Sequence, residues 1–279
     1  GIYPHYLHKI KHTMSNQENN SIHDFDFRLI CEYFSSIKRQ GPGSEASTHE
    51  AITTIPTINP NFKIADIGCG TGSSAIQLAK ETQASVLAID LFADFLIKVK
   101  QNAERAGVSD KVSTMQADMT QLPLEDESLD LIWSEGAIYN IGFEKGLQEW
   151  NRFIRKNGYI AVTESTWLTD SRPSEIENFW MDAYPQMDTL ENNIVKMTKA
   201  GYCNIQTAVL SNDCWTKEFY EPQVNAQRIF LERHPNDFTT NELVKNQRHE
   251  AELFSKYHTY YGYVWYIGQK IAAKAEKQR

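Results

Sequence analysis

Residues 64–75 read Ile64-Ala65-Asp66-Ile67-Gly68-Cys69-Gly70-Thr71-Gly72-Ser73-Ser74-Ala75, an apolar run that ends in an acid, passes through glycines and enters a helical stretch. Glycines between a strand and a helix let the backbone approach a ligand closely, and the helix start offers N–H groups without partners of their own. Working outward, residues 62–67 read as a strand, 73–80 as a helix and 85–89 as a second strand. A helix over 92–106 stops at Gly107, and 112–117 and 129–133 make the third and fourth strands. Residues 143–155 carry helical spacing, Asn157-Gly158 turns the chain, and 159–163 make the fifth strand. Strands and helices alternating at this interval build a parallel sheet covered on both faces.

The flanks are less regular. Upstream, apolar residues over 23–37 recur at helical spacing and stop at Gln40-Gly41-Pro42-Gly43. Ser44 is placed as the N-cap of a second helix through 55, which Pro56 and Pro60 close. Downstream, 175–184, 190–199, 216–234 and 240–257 read as helical, 203–210 as a strand, and 260–267 as a final aromatic strand.

Composition narrows the partners. The 279 residues hold 28 Lys+Arg against 36 Asp+Glu, a net charge of −8, and 41% hydrophobic residues. That length carries one large α/β domain with a sizeable core. Nucleic acid is disfavoured, because gripping phosphates needs a basic surface. No apolar run is long enough for a membrane span, and mean hydropathy is −0.51. Cys31, Cys69, Cys203 and Cys214 show neither C-x-x-C pairs nor metal-ligand spacing, so no metal site is expected and a reducing cytoplasm is. Cys203 and Cys214 could pair across two strands, although buried thiols are the simpler expectation. Residues 1–13, which precede Met14, lack a secretory signal pattern and are read as lying outside the natural start.

Two ligands compete for the glycine turn. Gly70, Gly72 and Ala75 satisfy the G-x-G-x-x-G/A dinucleotide spacing, with Asp90 twenty residues after Gly70. Asp66 speaks against that reading: an acid two residues before the first glycine would repel a pyrophosphate and suits an amino group. Asp66-Ile67-Gly68-Cys69-Gly70-Thr71-Gly72 resembles the first motif of the class I S-adenosylmethionine-dependent methyltransferases, small-molecule type, with a domain like that of the ubiquinone/menaquinone enzymes. Later landmarks follow the family's order. They are Asp90-Leu91 after the second strand, Ala117-Asp118-Met119 after the third, Ser134-Glu135-Gly136 after the fourth, and Asn157-Gly158 before the fifth. The resemblance covers residues 60–166 strongly and the rest in architecture only.

It implies a three-layer α/β/α Rossmann-like methyltransferase fold, with a mostly parallel seven-stranded sheet and an antiparallel last strand. It implies S-adenosylmethionine as cofactor and S-adenosylhomocysteine as product. The expected cofactor-binding residues are Asp66, Gly68, Cys69, Gly70, Gly72, Asp90, Leu91, Asp118, Met119 and Glu135, with Gly43 and Ser44 from the upstream hinge. The expected division is a leader over 1–20, a helical lid over 21–56, and a catalytic domain over 57–279 with helical insertions at about 167–200 and 216–257. Glu135 is the first candidate for contact with the acceptor, followed by Tyr139, His49 and Glu164. The fourth strand lacks the Asn-Pro-Pro-Tyr signature of base-amine methylation, and no Pro-Cys pair supplies a nucleophile for pyrimidine carbon. A small-molecule acceptor is therefore expected, handled by a monomer or homodimer. The alternatives are a catalytically silent S-adenosylmethionine-binding module and, third, an NAD(P)-dependent oxidoreductase.

Overall fold

The computed structural model describes residues 20–56 and 58–271, with side chains from Phe27 onward. The expected leader therefore lies outside the described residues, apart from Asn20. Eight strands form one sheet: β1 (Lys63–Ile67), β2 (Ser85–Asp90), β3 (Val112–Gln116), β4 (Leu129–Ser134), β5 (Ile154–Trp167), β6 (Asp188–Thr189), β7 (Tyr202–Val209) and β8 (Tyr261–Lys270). Their order is β3-β2-β1-β4-β5-β8-β7, with the two-residue β6 pairing β5. Strand β8 is antiparallel to both β5 and β7, while the β1–β2, β2–β3, β1–β4 and β4–β5 pairs are parallel. This is the expected sheet of seven strands with the last one reversed, plus β6.

The layers follow from the burial pattern. Every residue of β4 is buried, as befits a central strand covered on both faces. Helices α2 (Glu45–Thr54), α3 (Ser73–Thr82) and α4 (Ala93–Arg105) pack Ala51, Leu78 and Val99 into one core with Ile64, Trp133 and Trp265. On the other face, α5 (Phe143–Trp150) and α7 (Leu190–Lys199) set Leu147, Trp150 and Met197 against Ile132, Ile160 and Tyr266. Helix α6 (Ser174–Ala183) adds Trp180 to the first core. A third cluster joins the chain's two flanks. Leu29, Tyr33 and Phe34 of α1 (Asn20–Ser35) meet Phe95 of α4, Phe230 of α8 (Glu221–Arg233) and Leu243 of α9 (Phe238–Tyr257).

One boundary differs from the sequence reading. The helix expected over 143–155 ends at Trp150, and β5 already begins at Ile154. The Asn157-Gly158 pair lies inside that strand, not ahead of it. Ile154 pairs with Leu129 and Tyr159 with Leu131, so the residues between bulge out, with Asn157 at φ 64°. All four cysteines are free, so Cys203 and Cys214 are not bridged.

Among the described residues, no helix is long and apolar enough to cross a membrane.

Candidate active site

The chain runs from β1 to β2 and β3 on one side of the sheet, and from β4 to β5 on the other. Beyond the carboxyl ends of β1 and β4, this reversal leaves a crevice, the usual ligand position in such sheets. It measures about 340 Å³. Asp66, Gly68, Cys69 and Gly70 line its floor, Asp90 and Leu91 one side, and Asp118 and Met119 the far end. Glu135 and Tyr139 line the side beyond β4, and Arg39, Gln40, Gly41 and Pro42 reach over from the N-terminal segment.

Local geometry fixes the glycine turn. The N–H groups of Gly68 and Cys69 both donate to the Ile89 carbonyl, at 2.8 and 3.0 Å, and the Gly70 N–H donates to Asp90 Oδ2 at 2.9 Å. Gly68 sits at φ 73°, and a Cβ there would lie 2.4 Å from the Ala137 Cβ. At Gly70, φ 53°, a Cβ would lie 2.2 Å from Gln40 Oε1. The turn therefore requires glycine for its conformation and for close neighbours.

Charge is concentrated here. Asp66 is 1% exposed, and its Oδ2 has no hydrogen-bond partner. Burial, reinforced by the nearby Glu135 and Asp90 carboxylates, pushes its carboxyl well above the usual range; the Ala75 N–H and Arg39 act the other way. Asp90 is pushed up to about 6 by burial, against N–H groups of Phe92, Gly70 and Leu91 that favour its charged form. Glu135 is held from three directions. Thr48 Oγ1 and Trp133 Nε1 donate to its Oε1 at 2.7 and 3.0 Å, and Arg39 Nη1 to its Oε2 at 3.1 Å. Arg39 is 7% exposed, and its Nε and Nη2 have no partners. Gln40 clasps the turn, accepting from the Thr71 N–H at 2.9 Å and donating to Thr71 Oγ1 at 3.1 Å.

Five expected residues lie elsewhere. Gly72 caps α3 at φ 93°, where a Cβ would press on Val99 at 3.1 Å. Gly43 and Ser44 are tied to the turn at 212–214, through the Gly43 N–H to the Cys214 carbonyl and Cys214 Sγ to Ser44 Oγ, and Ser44 caps α2. His49 is on the outer side of α2, in a separate surface groove, with Nδ1 2.8 Å from Glu81 Oε2. One helical step back, Thr48 faces inward instead. Glu164 is buried in β5, outside the crevice lining. Conversely, sequence spacing gives no signal for Arg39, Gln40 or Thr48. They reach the site because α1 and α2 fold back over the turn, although the polar Arg39-Gln40 pair beside a Gly-Pro-Gly hinge is a visible cue.

Residues 65–162 match the methyltransferase domain family. This stretch is thus similar to a methyltransferase domain. Methyltransferase GfsG of Streptomyces halstedii is 27% identical over 172 residues, 60% of this chain and 62% of that protein. Sterol 24-C-methyltransferase ERG6B of Gibberella zeae is 26% identical over 155 residues, 52% of this chain and 40% of that one. The chain thus spans less than two thirds of the length of either relative. A methyltransferase from Geobacter sulfurreducens, solved with S-adenosyl-L-homocysteine, superposes with a TM-score of 0.75 at 18% identity, covering 87% of this chain and 98% of that one. At that identity the likeness shows a shared fold, and it extends the methyltransferase architecture well beyond residues 65–162.

Proposed function

We propose that this chain transfers a methyl group from S-adenosylmethionine to a small organic acceptor. The observation that carries the reading is Asp66, a buried acid with one unpartnered oxygen, set beside a turn of positive-φ glycines. A buried carboxylate is costly unless a positive partner arrives, so the position suits an ammonium and repels a pyrophosphate. That contrast separates the reading from a nicotinamide enzyme.

When bound, S-adenosylmethionine supplies a methyl group made electrophilic by its sulfonium. In this reading Asp66 receives the methionyl ammonium, and the Gly68–Gly70 backbone lets that end lie close. Arg39, with two unpartnered nitrogens, is placed to hold the methionyl carboxylate. Asp90 takes the ribose hydroxyls with lone pairs its backbone donors leave free, and Leu91, Asp118 and Met119 border the adenine end. Cys69 serves as a small buried residue of the turn; burial pushes its thiol up, away from thiolate chemistry. Gly72, Gly43 and Ser44 shape the surrounding backbone. Glu135, saturated by three donors, is a post that fixes Arg39 and Thr48. Tyr139 faces the acceptor end. Residues 21–56 act as the lid, excluding water and aligning the reactants.

The surrounding carboxylates favour a small molecule over a polyanion. The four free thiols suit a reducing compartment such as the cytoplasm. Calorimetry tests the cofactor assignment: S-adenosylmethionine and S-adenosylhomocysteine should bind and NADH should not, and the reverse result overturns it. Release of S-adenosylhomocysteine against fractionated metabolite pools then separates a working enzyme from a silent binding module.

A further inference from the structure

The crevice ends at Tyr139, and behind that ring lies a cluster for which the cofactor contacts have no use. Glu164 on β5 is 2% exposed, and its Oε2 has no hydrogen-bond partner. Tyr184, just after α6, hydrogen-bonds to this carboxyl and packs edge-on against Tyr139, with ring centroids 5.9 Å apart. Tyr263 on β8 is near enough to both Tyr139 and Glu164 to sense their charge. The preceding residue, Thr163, accepts a 2.7 Å hydrogen bond from the Gly136 N–H, which ties β5 to the turn carrying Glu135. Among the described residues Lys196 is the cation that bears on Glu164, and its Nζ is committed to Asp188 Oδ2 at 2.8 Å.

A carboxyl enclosed by tyrosines, with one oxygen unsatisfied, costs stability in the empty protein and asks for a partner. Resting on the methyl-transfer reading, we propose that Glu164, Tyr184 and Tyr139 form the acceptor wall of the site, and that the acceptor is an organic amine that arrives as a cation. Carboxylate and aromatic faces together are the chemistry that recognises an organic ammonium. An anionic acceptor would meet Asp66, Glu135 and Glu164 with Arg39 as the sole basic side chain among the described lining residues, already bonded to Glu135. A neutral hydroxyl would leave the Glu164 carboxyl without a charge partner. Burial pushes Glu164 up to about 8, so it is largely neutral without a ligand and ionises as the ammonium enters. The carboxylate then takes a proton from the ammonium, which frees the nitrogen lone pair to form the N–C bond as the donor's S–C bond breaks and S-adenosylhomocysteine leaves. Tyr139 belongs both to the crevice lining and to the cluster, so its ring must move aside for an acceptor to reach Glu164.

The test does not require the natural acceptor. The full chain, loaded with S-adenosylhomocysteine, is titrated with choline and with its neutral carbon isostere, in which a tert-butyl group replaces the trimethylammonium. Choline should bind at least about tenfold more tightly, a difference of about 1.4 kcal/mol. Glu164→Gln should abolish that preference while leaving the affinity for S-adenosylhomocysteine unchanged, and Tyr184→Phe should reduce it. If Glu164→Gln does not fold, Tyr184→Phe carries the test. Equal binding of the two probes, binding of neither, or a preference kept in the folded variants overturns the proposal. Failure of the wild type to take up S-adenosylhomocysteine at the loading step would sink the methyl-transfer reading itself.

Discussion

Single residues in this fold are set by what burial does to charge. Glu164 has an ordinary carboxyl pKa of 4.5 in the unfolded chain and about 8 in the folded one. Between those values the folded protein binds more protons than the unfolded chain. Stability from this group is therefore fully present below about 4.5 and is lost as pH rises through 8. At 1.36 kcal/mol per pKa unit the full loss is roughly 5 kcal/mol. Glu164→Gln should match the wild type near pH 4.5 and exceed it by several kcal/mol at pH 9, read from denaturant melts of the cofactor-free protein at both pH values. Equal pH slopes for the two proteins would show that the side chain is solvated. Sequence alone could mark Glu164 as an acid near the end of the fifth strand, but not its enclosure, because Tyr184 and Tyr263 come from elements 20 and 99 residues away along the chain. Asp66 was legible because the glycine turn beside which it sits follows it directly in sequence.

Elements were legible where their pattern answers to local physics. The alternation from β1 to β4 needs only apolar strands and amphipathic helices, and its spans agree with the sequence reading to within a residue or two. The start of β5 was not legible, because Asn157-Gly158 has the composition of a turn, while the chain uses it as a bulge. Gly158 is needed there: a Cβ would lie 2.6 Å from Ile154 Cγ2 and 2.9 Å from the Asp130 carbonyl. The N-terminal segment shows the same limit, since its helices could be read but their seat on the glycine turn could not. Gln40 makes that seat, linking Thr71 to the Phe34 and Ile37 carbonyls at the end of α1. Gln40→Ala would leave the Thr71 N–H without its partner, at a cost of about 1–3 kcal/mol. Hydrogen exchange should then quicken over residues 36–44 and at the glycine turn while the central strands keep their protection. Unchanged exchange in both segments would show that the clasp does not hold them together.

At the scale of the whole molecule, the two flanks of the chain close the site jointly. Helix α1 packs Tyr33 and Phe34 against each other at 5.0 Å, and Tyr33 against Phe230 of α8 at 5.2 Å. Tyr33 also donates to Gln223 Oε1 on α8 at 2.7 Å. An N-terminal segment seated on the C-terminal helices in this way is part of the core, so its position should govern cofactor affinity from a distance. Phe34 is 2% exposed and does not line the crevice, which makes it the cleaner probe of this coupling. Phe34→Ala should cost about 3–5 kcal/mol of stability, the usual range for removing a buried phenyl ring. It should also weaken S-adenosylhomocysteine binding at temperatures where the variant remains folded, because Arg39 and Gln40 follow directly from the helix that loses its seat. Large-to-small substitutions of comparable cost on the far face of the sheet would not share the second effect. Calorimetry on folded Phe34→Ala, set beside a variant of equal stability loss such as Met197→Ala under α7, separates the two cases: equal affinities would mean that the N-terminal segment docks independently of the C-terminal helices.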